Sequence, residues 1–321
     1  MSTSFFVGKT IDDVMHVVLK EILKSGKTVT SGKGESLEIM GVMLELENPR
    51  ARLSRTETRG IPFSCLAELL WYLSKGKSLQ FIEYYLPRYR EFSEREEIWG
   101  GYGPRLFNWD GICQFENITS RLKEKPSSRK AVIQLFDRAD LVVPHEDIPC
   151  TCTFQFFVRD DLLHMFTNMR SNDIYTGFPH DLFCFTMLQE ILARTLGYEI
   201  GTYKHSVGSL HLYTEKIGDA ESLLKEGWQS TRHPMPPMPF GDPWPAIGQL
   251  LKAEEAIRLY GIEGVQMTSE IDEYWADLFR ILQLFRCCVK DKDAKTAKEI
   301  QKKMHSPIYG PFIAKKVEGI C

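Results

Sequence analysis

Apolar residues recur along this chain at two periods, and the alternation between them lays out the expected elements. Val14, Val17, Val18 and Ile22 share one face of a helix running from Thr10 to Lys24. Thr10 and Asp13 stand at capping-box spacing, and Gly26 follows as a stop. Pro62–Leu73 repeats the helical period through Leu66, Leu69, Leu70 and Leu73, with Glu68 enclosed by apolar neighbours. A short helix is predicted over Ile118–Lys125, broken at Pro126, and the longest apolar one over Asp181–Leu196, ending at Gly197. Strand character occupies Leu37–Leu46, Ala131–Phe136, Phe154–Val158, Leu162–Asn168 and Ser206–Tyr213, with Arg159-Asp160-Asp161 as a hairpin turn. The glycines of Ser31–Glu35 would let backbone approach a phosphate, but a hairpin turn explains them more simply. Ser78–Glu97 shows no clear boundaries, and Gly100–Pro104 reads as a loop.

The pattern changes at His233–Pro245, which is too rich in proline for a helix or a central strand and reads as a linker or surface arm. Beyond it, Ser269 is expected to cap a helix with Ile271, Trp275, Leu278, Leu282 and Phe285 on one stripe. A charged helix follows at about Ala294–Met304. Mixed strands and helices of this kind predict an α+β fold.

At 321 residues, 43% hydrophobic and 26% charged, the chain can bury a core without staples. A net charge of −3 provides no global basic field, so duplex nucleic acid is not expected as a partner. No stretch approaches the ~20 apolar residues of a membrane span, and the first residues lack a signal-peptide core, which predicts a cytoplasmic location without membrane contact. Eight scattered cysteines favour reduced thiols over a disulfide framework. Cys150-Thr151-Cys152 has no matching pair at zinc-site spacing, so no metal is expected.

Candidate chemistry concentrates between Pro149 and Tyr213. Cys150 can serve as a nucleophile, with a buried inert thiol as the plainer alternative. Arg129 with Lys130, and Arg170, are candidate phosphate clamps, against a charged loop or an Arg170–Asp173 pair. Asp181 follows a Gly-x-Pro turn, where helix capping competes with ligand binding. His211 alternates with leucines, as a core histidine would.

Taken together, these residues resemble the thymidylate synthase family over about residues 10–215. Pro149-Cys150 matches its catalytic Pro-Cys, and Phe154–Val158 the strand that follows. Met169-Arg170-Ser171-Asn172-Asp173 is similar to its Gln-Arg-Ser-Cys-Asp, Gly177-Phe178-Pro179 to its Gly-Leu-Pro, and His211-Leu212-Tyr213 to its His-Ile/Leu-Tyr. Upstream, Glu68-Leu69-Leu70-Trp71, Tyr102-Gly103 and Ser128-Arg129-Lys130 are similar to Glu-Leu-Leu-Trp, Tyr-Gly and Ser-Arg-Arg.

The resemblance implies a mixed sheet packed by helices, one sheet face forming a homodimer interface. It implies 5,10-methylenetetrahydrofolate as cosubstrate, with no metal. Cys150 would attack C6 of a pyrimidine nucleotide, while Glu68 and Tyr102 would move protons and order water near C5. Arg170 and Ser171 would bind the phosphate, with Arg129 and Lys130 arriving from the second subunit. His211 and Tyr213 would hold the sugar, Asp173 the pterin, and Gly177 would line the folate side.

Departures refine the expectation. Asp181 stands where synthases carry asparagine, Thr151 where they have His, and His180 where Phe is usual. The indole that lines the synthase folate site has no counterpart in register, since Trp99 lies too close to Tyr102. An amide complements uracil; a carboxyl protonated at one oxygen complements cytosine, which accepts at N3 and donates at N4. The same change marks the family's cytidylate hydroxymethylases. The expected function is therefore 5-hydroxymethylation of CMP or dCMP, through a Cys–C6 adduct and water addition. A thymidylate synthase or dCMP methyltransferase, and a non-catalytic nucleotide- or RNA-binding relative, are the alternatives. The expected division is a catalytic domain at 1–232, a proline-rich linker at 233–245 and a helical extension at 246–321 packed on the same domain.

Overall fold

A computed structural model describes residues 4–32, 34–56, 62–227, 233–268 and 270–320. The chain enters through β1 (Phe5–Gly8) and α1 (Ile11–Ser25), where Thr10 and Asp13 form the expected reciprocal capping box. β2 (Lys27–Ser31) and β3 (Gly34–Leu46) make a hairpin in which Ser31 pairs with Gly34, so the glycine-bearing segment is a turn. α2 (Pro62–Leu73) has the predicted bounds, and α3 (Leu79–Tyr85) with a 3-10 turn at Pro87–Phe92 occupies the stretch whose boundaries were illegible.

Residues 100–104 are not all loop: α4 spans Tyr102–Phe107. Pro104 falls in its first turn, where the missing N–H costs no hydrogen bond. α5 (Gln114–Glu124), β4 (Val132–Gln134), β5 (Thr151–Arg159) and β6 (Leu162–Asp173) follow. Asp160 and Asp161 both take positive φ at the hairpin tip. β6 runs past its predicted end at Asn168, because Ser171, Asn172 and Asp173 continue to pair with the next parallel strand despite their polarity. Then come α6 (Phe178–Leu196), closed by Gly197 in the left-handed region, and β7 (Glu199–Tyr213). The remaining helices are α7 (Ile217–Lys225), α8 (Trp244–Tyr260), α9 (Glu273–Phe285), α10 (Ala294–Lys302) and α11 (Gly310–Glu318). Ser269 lies outside the described residues; Asp272 caps α9.

The strands form one mixed sheet in the order β1-β3-β7-β6-β5-β4, with β2 also paired to β3. β6 and β7 run parallel at its centre, and their flanking pairs β3–β7 and β5–β6 are antiparallel. Alternate residues such as Phe154, Phe156, Met165, Tyr203 and Val207 are buried, while Phe157, Phe166 and Lys204 on intervening positions are half-buried. α2 and α6 pack together; the Cys184 thiol is 3.6 Å from the Cys65 carbonyl.

The proline-rich segment is not a surface arm throughout. Met235 and Met238 are buried, the Met235 N–H donates to the Arg50 carbonyl, and the Met238 N–H to Glu190 Oε1. Extended backbone exposes its N–H and C=O groups, and here Arg194 Nε donates to the Met238 carbonyl. Glu190 also binds Arg50 and Arg52, whose guanidinium is buried, and these cations hold its carboxyl below the usual range. Glu190→Gln would leave Arg52 buried without its counter-charge, lowering stability by about 3–5 kcal/mol as breaking a buried pair does. Urea unfolding measures this; an unchanged midpoint would contradict it.

Candidate active site

A cleft of about 480 Å³ opens at the carboxyl ends of β6 and β7, between the sheet and helices α2, α4 and α6. Strand register assembles one wall. The parallel pairing sets Ser171 beside Ser209 and Asp173 beside His211, while antiparallel β3 brings Glu38 to His211 and Ser36 to Tyr213. Cys150 sits one residue before β5, and its carbonyl accepts the Arg170 N–H at 2.9 Å. The Arg170 side chain donates to the carbonyls of Pro149 and Ile148 at 3.0 and 3.1 Å, tying down the backbone that carries the thiol.

The opposite wall is helical. On α2, Glu68 Oε1 accepts from Tyr72 at 2.7 Å and from Tyr89 at 2.9 Å. Burial nevertheless pushes its carboxyl up, outweighing both phenols and the positive charge of Arg88. Tyr102, first residue of α4, donates to the Thr151 hydroxyl at 2.9 Å and accepts the Thr151 N–H at 3.2 Å. This clamps the residue after Cys150. A side chain at Gly103 would meet the Gly76 carbonyl at 2.5 Å, so the turn holding Tyr102 requires glycine there.

Asp181 is not a helix cap. Gly177 occupies that position, and Asp181 lies within the first helical turns of α6, lining the cleft. Pro179 lets the helix start early, since its ring suits the first turn. Asn172 Nδ2 donates to Asp181 Oδ2 at 2.7 Å. Burial raises the Asp181 carboxyl well above the ordinary aspartate range, and the neighbouring Glu68 and Asp173 carboxyls add to the rise. Asp173 Oδ1 accepts the backbone N–H groups of Tyr175 and Thr176, shaping the turn that leads into α6.

The cleft thus gathers Glu68, Tyr102, Cys150, Arg170, Ser171, Asp173, Gly177, Asp181, His211 and Tyr213 from segments far apart in the chain. His211 is half-buried in its wall and not a core histidine. The sequence profile of the thymidylate synthase family matches residues 14–241. The chain belongs to that family.

Among family relatives, a "Deoxyuridylate hydroxymethyltransferase" of Bacillus phage SP01 is 28% identical over 66% of this chain and 60% of its own length. A "Putative thymidylate synthase" of Methanosarcina mazei is 28% identical over 70% of this chain and 99% of its own. A "Thymidylate synthase" of Buchnera aphidicola is 27% identical over 65% of this chain and 81% of its own. The matched segment thus spans less than two thirds of the phage relative.

Arg129 and Lys130 do not join the others. Both are exposed and absent from the cleft wall, the Arg129 carbonyl accepting from Gln155 beside β4. Conversely, the cleft of this thymidylate synthase family member contains residues to which the motifs gave no role: Trp71, Arg88, Tyr89 and His180. Trp71 lies within the Glu-Leu-Leu-Trp match, but nothing in sequence tells which helical neighbour of Glu68 faces a ligand. His180 Nδ1 donates to the Thr176 carbonyl and Nε2 accepts from Ser64. Trp99 stacks on His145 and donates to Asp140, away from the cleft. The described cysteines are all free thiols, and Cys321 lies outside the described residues. No helix among the described residues is long and apolar enough to cross a membrane.

The raised Asp181 carboxyl has a consequence for stability. Above the unfolded aspartate pKa of about 3.9 the folded chain keeps a proton that the unfolded chain loses, so stability falls as pH rises. Asp181→Asn removes that cost. The variant is expected to unfold at higher temperature than the parent at neutral pH, with the gap closing on acidification. A gap that widens on acidification would contradict this.

Proposed function

We propose that this protein is a cytidylate 5-hydroxymethylase that uses 5,10-methylenetetrahydrofolate as one-carbon donor. The observation that carries the reading is Asp181, a carboxyl biased to its neutral form in a cleft shared with Cys150 and Glu68. A neutral acid offers a donor to cytosine N3 and an acceptor to the 4-amine; a carboxylate would repel uracil O4.

In this mechanism the Cys150 thiolate adds to C6, and the electron pair displaced onto the ring is stabilised by the Asp181 proton at N3. C5 then becomes the carbon nucleophile. The folate supplies the one-carbon unit that C5 takes up. The C5 proton is carried away by way of Tyr102 and ordered water, tetrahydrofolate departs with a proton on its amine nitrogen, and an exocyclic methylene is left on the nucleotide. Water adds to that carbon and the thiolate leaves C6, giving the 5-hydroxymethyl product without change in the folate's oxidation level. Both phenols bond Glu68 through Oε1, which leaves Oε2 to order the water.

The cleft suits a flat second ring: Leu86, Phe92 and Ile98 share its wall with Trp71, whose buried Nε1 has no partner among the described residues. Asp173 and Gly177 belong to the folate side in this reading. Arg170 and Ser171 take the phosphate, and His211 with Tyr213 the sugar. The exposed Arg129 and Lys130 fit a contribution across a homodimer in which half-buried sheet residues such as Phe157 and Phe166 meet. Residues 1–232 carry the catalytic unit and 246–321 an extension packed upon it.

Turnover of CMP and dCMP, followed at the wavelength where dihydrofolate absorbs, tests the reaction. Hydroxymethylation gives product without dihydrofolate; dihydrofolate formed in step with product would replace it by methylation. No tritium release from C5-labelled cytidylates or uridylates would favour a nucleotide-binding protein. The ratio of kcat/KM for CMP and dCMP assigns the sugar.

A further inference from the structure

Asp181 does not stand alone behind the cleft. Its Oδ2 is held by Asn172 Nδ2 at 2.7 Å, Asn172 Oδ1 lies 3.1 Å from His205 Nε2, and His205 Nδ1 lies 2.7 Å from the Tyr203 hydroxyl. His205 is 0% exposed and Tyr203 1%, with Phe178 edge-on to the imidazole at 5.3 Å. The chain spans β7 and β6 and reaches the first turns of α6, with Asn172 and Asp181 lining the cleft and His205 and Tyr203 buried behind them.

Every bond in such a chain has a direction, and one choice sets the rest. Burial drives the His205 pKa down to about 3, so the ring is neutral and carries one N–H. A phenol is a better donor than acceptor, and the short 2.7 Å contact fits its O–H donating to an imidazole nitrogen. Nδ1 is then the acceptor and Nε2 carries the proton. Nε2–H donates to Asn172 Oδ1, which turns the amide nitrogen toward Asp181. An amide nitrogen only donates, so Asp181 Oδ2 accepts. A carbonyl oxygen accepts an amide N–H better than an acid hydroxyl does, which favours the acid proton on Oδ1.

We propose that Tyr203, His205 and Asn172 are positioning residues that lock the acid proton of Asp181 on Oδ1 and thereby select the base. The inference rests on the cytidylate reading above and names the residues that enforce it. With Oδ1–H donating to N3 and Oδ2 accepting from the 4-amine, the acid matches cytosine. Uracil, with N3–H and O4, requires the proton on Oδ2 instead. With the proton there, Asn172 would either donate to an acid hydroxyl oxygen, a poorer acceptor than the carbonyl oxygen, or turn its Oδ1 to the acid and reverse the bonds back to Tyr203.

Two measurements test this. The nitrogen-15 spectrum of the His205 ring in the full-length protein, without substrate, is expected to show Nε2 protonated and Nδ1 bare. Tyr203→Phe removes the hydroxyl that gives the chain its direction. It is expected to lower the cytidylate-over-uridylate ratio of kcat/KM by about tenfold or more, the scale of one good base contact. Phe178→Leu, which loosens packing on the same ring without altering a hydrogen bond, should lower the unfolding temperature and keep the ratio. A ring protonated at Nδ1, or a ratio unmoved by Tyr203→Phe, overturns the lock. A parent enzyme that consumes uridylate and not cytidylate overturns the base assignment instead, while the ring spectrum still decides the direction of the chain.

Discussion

Cys150→Ala is expected to abolish release of tritium from C5 of a labelled cytidylate, by at least about 10⁴-fold, the scale on which removal of a covalent nucleophile acts. The reason is electronic. C5 of a pyrimidine becomes nucleophilic only when an electron pair is pushed into the ring at C6, and Cys150 lines the cleft with a thiol on backbone tied to Arg170 and followed by the Thr151 that Tyr102 clamps. Folding should be intact, because Cys150 is only half-buried and its backbone bond to Arg170 does not involve the side chain. Unfolding temperature and nucleotide binding near parental values, with exchange lost, complete the expected result. Residual exchange within a factor of ten of the parent would remove Cys150 from the mechanism.

Asp181→Asn is expected to move substrate preference from cytidylate toward uridylate, by roughly 10²-fold or more, the lower range for general-acid contributions. Asparagine keeps the shape and a hydrogen-bond donor, but it cannot pass a proton toward N3 as charge develops on the ring. Cytidylate turnover should therefore fall mainly in kcat. Uridylate already carries a proton at N3, and an amide can serve it by donating to O4 and accepting from N3–H. Competition between the two nucleotides in one assay reads the shift directly. An unchanged preference would count decisively against Asp181 as the base-reading residue.

The structure sharpens how far motifs reach. α1 and α2 were legible because capping residues and the helical stripe agree, and burial follows the stripe. The polarity of Arg170–Asp173 predicts an end for β6 at Asn168, whereas sheet pairing depends on backbone and register and carries the strand to Asp173. The prolines of residues 233–245 forbid regular structure and predict a linker or surface arm. Burial of Met235 and Met238 comes instead from packing, with Glu190 and Arg194 on α6 accepting and supplying the backbone bonds. Asp181 was legible as a departure from a motif, but whether it capped a helix depended on where α6 began.

By itself, the sequence determined which chemical groups are present and in what order: a cysteine after proline, an arginine–aspartate strand end, and an aspartate where an amide is usual. Those are matters of composition and spacing, and local propensity suffices to place them on strands and helices. Only the tertiary structure decided which groups share one cleft, because strand register and the packing of α2 on α6 act between residues distant in the chain. It placed Arg129 and Lys130 outside the cleft and brought Glu68 close enough for its charge to act on Asp181. It also joined Asn172, His205 and Tyr203 to Asp181 through three successive hydrogen bonds, the last two of them buried.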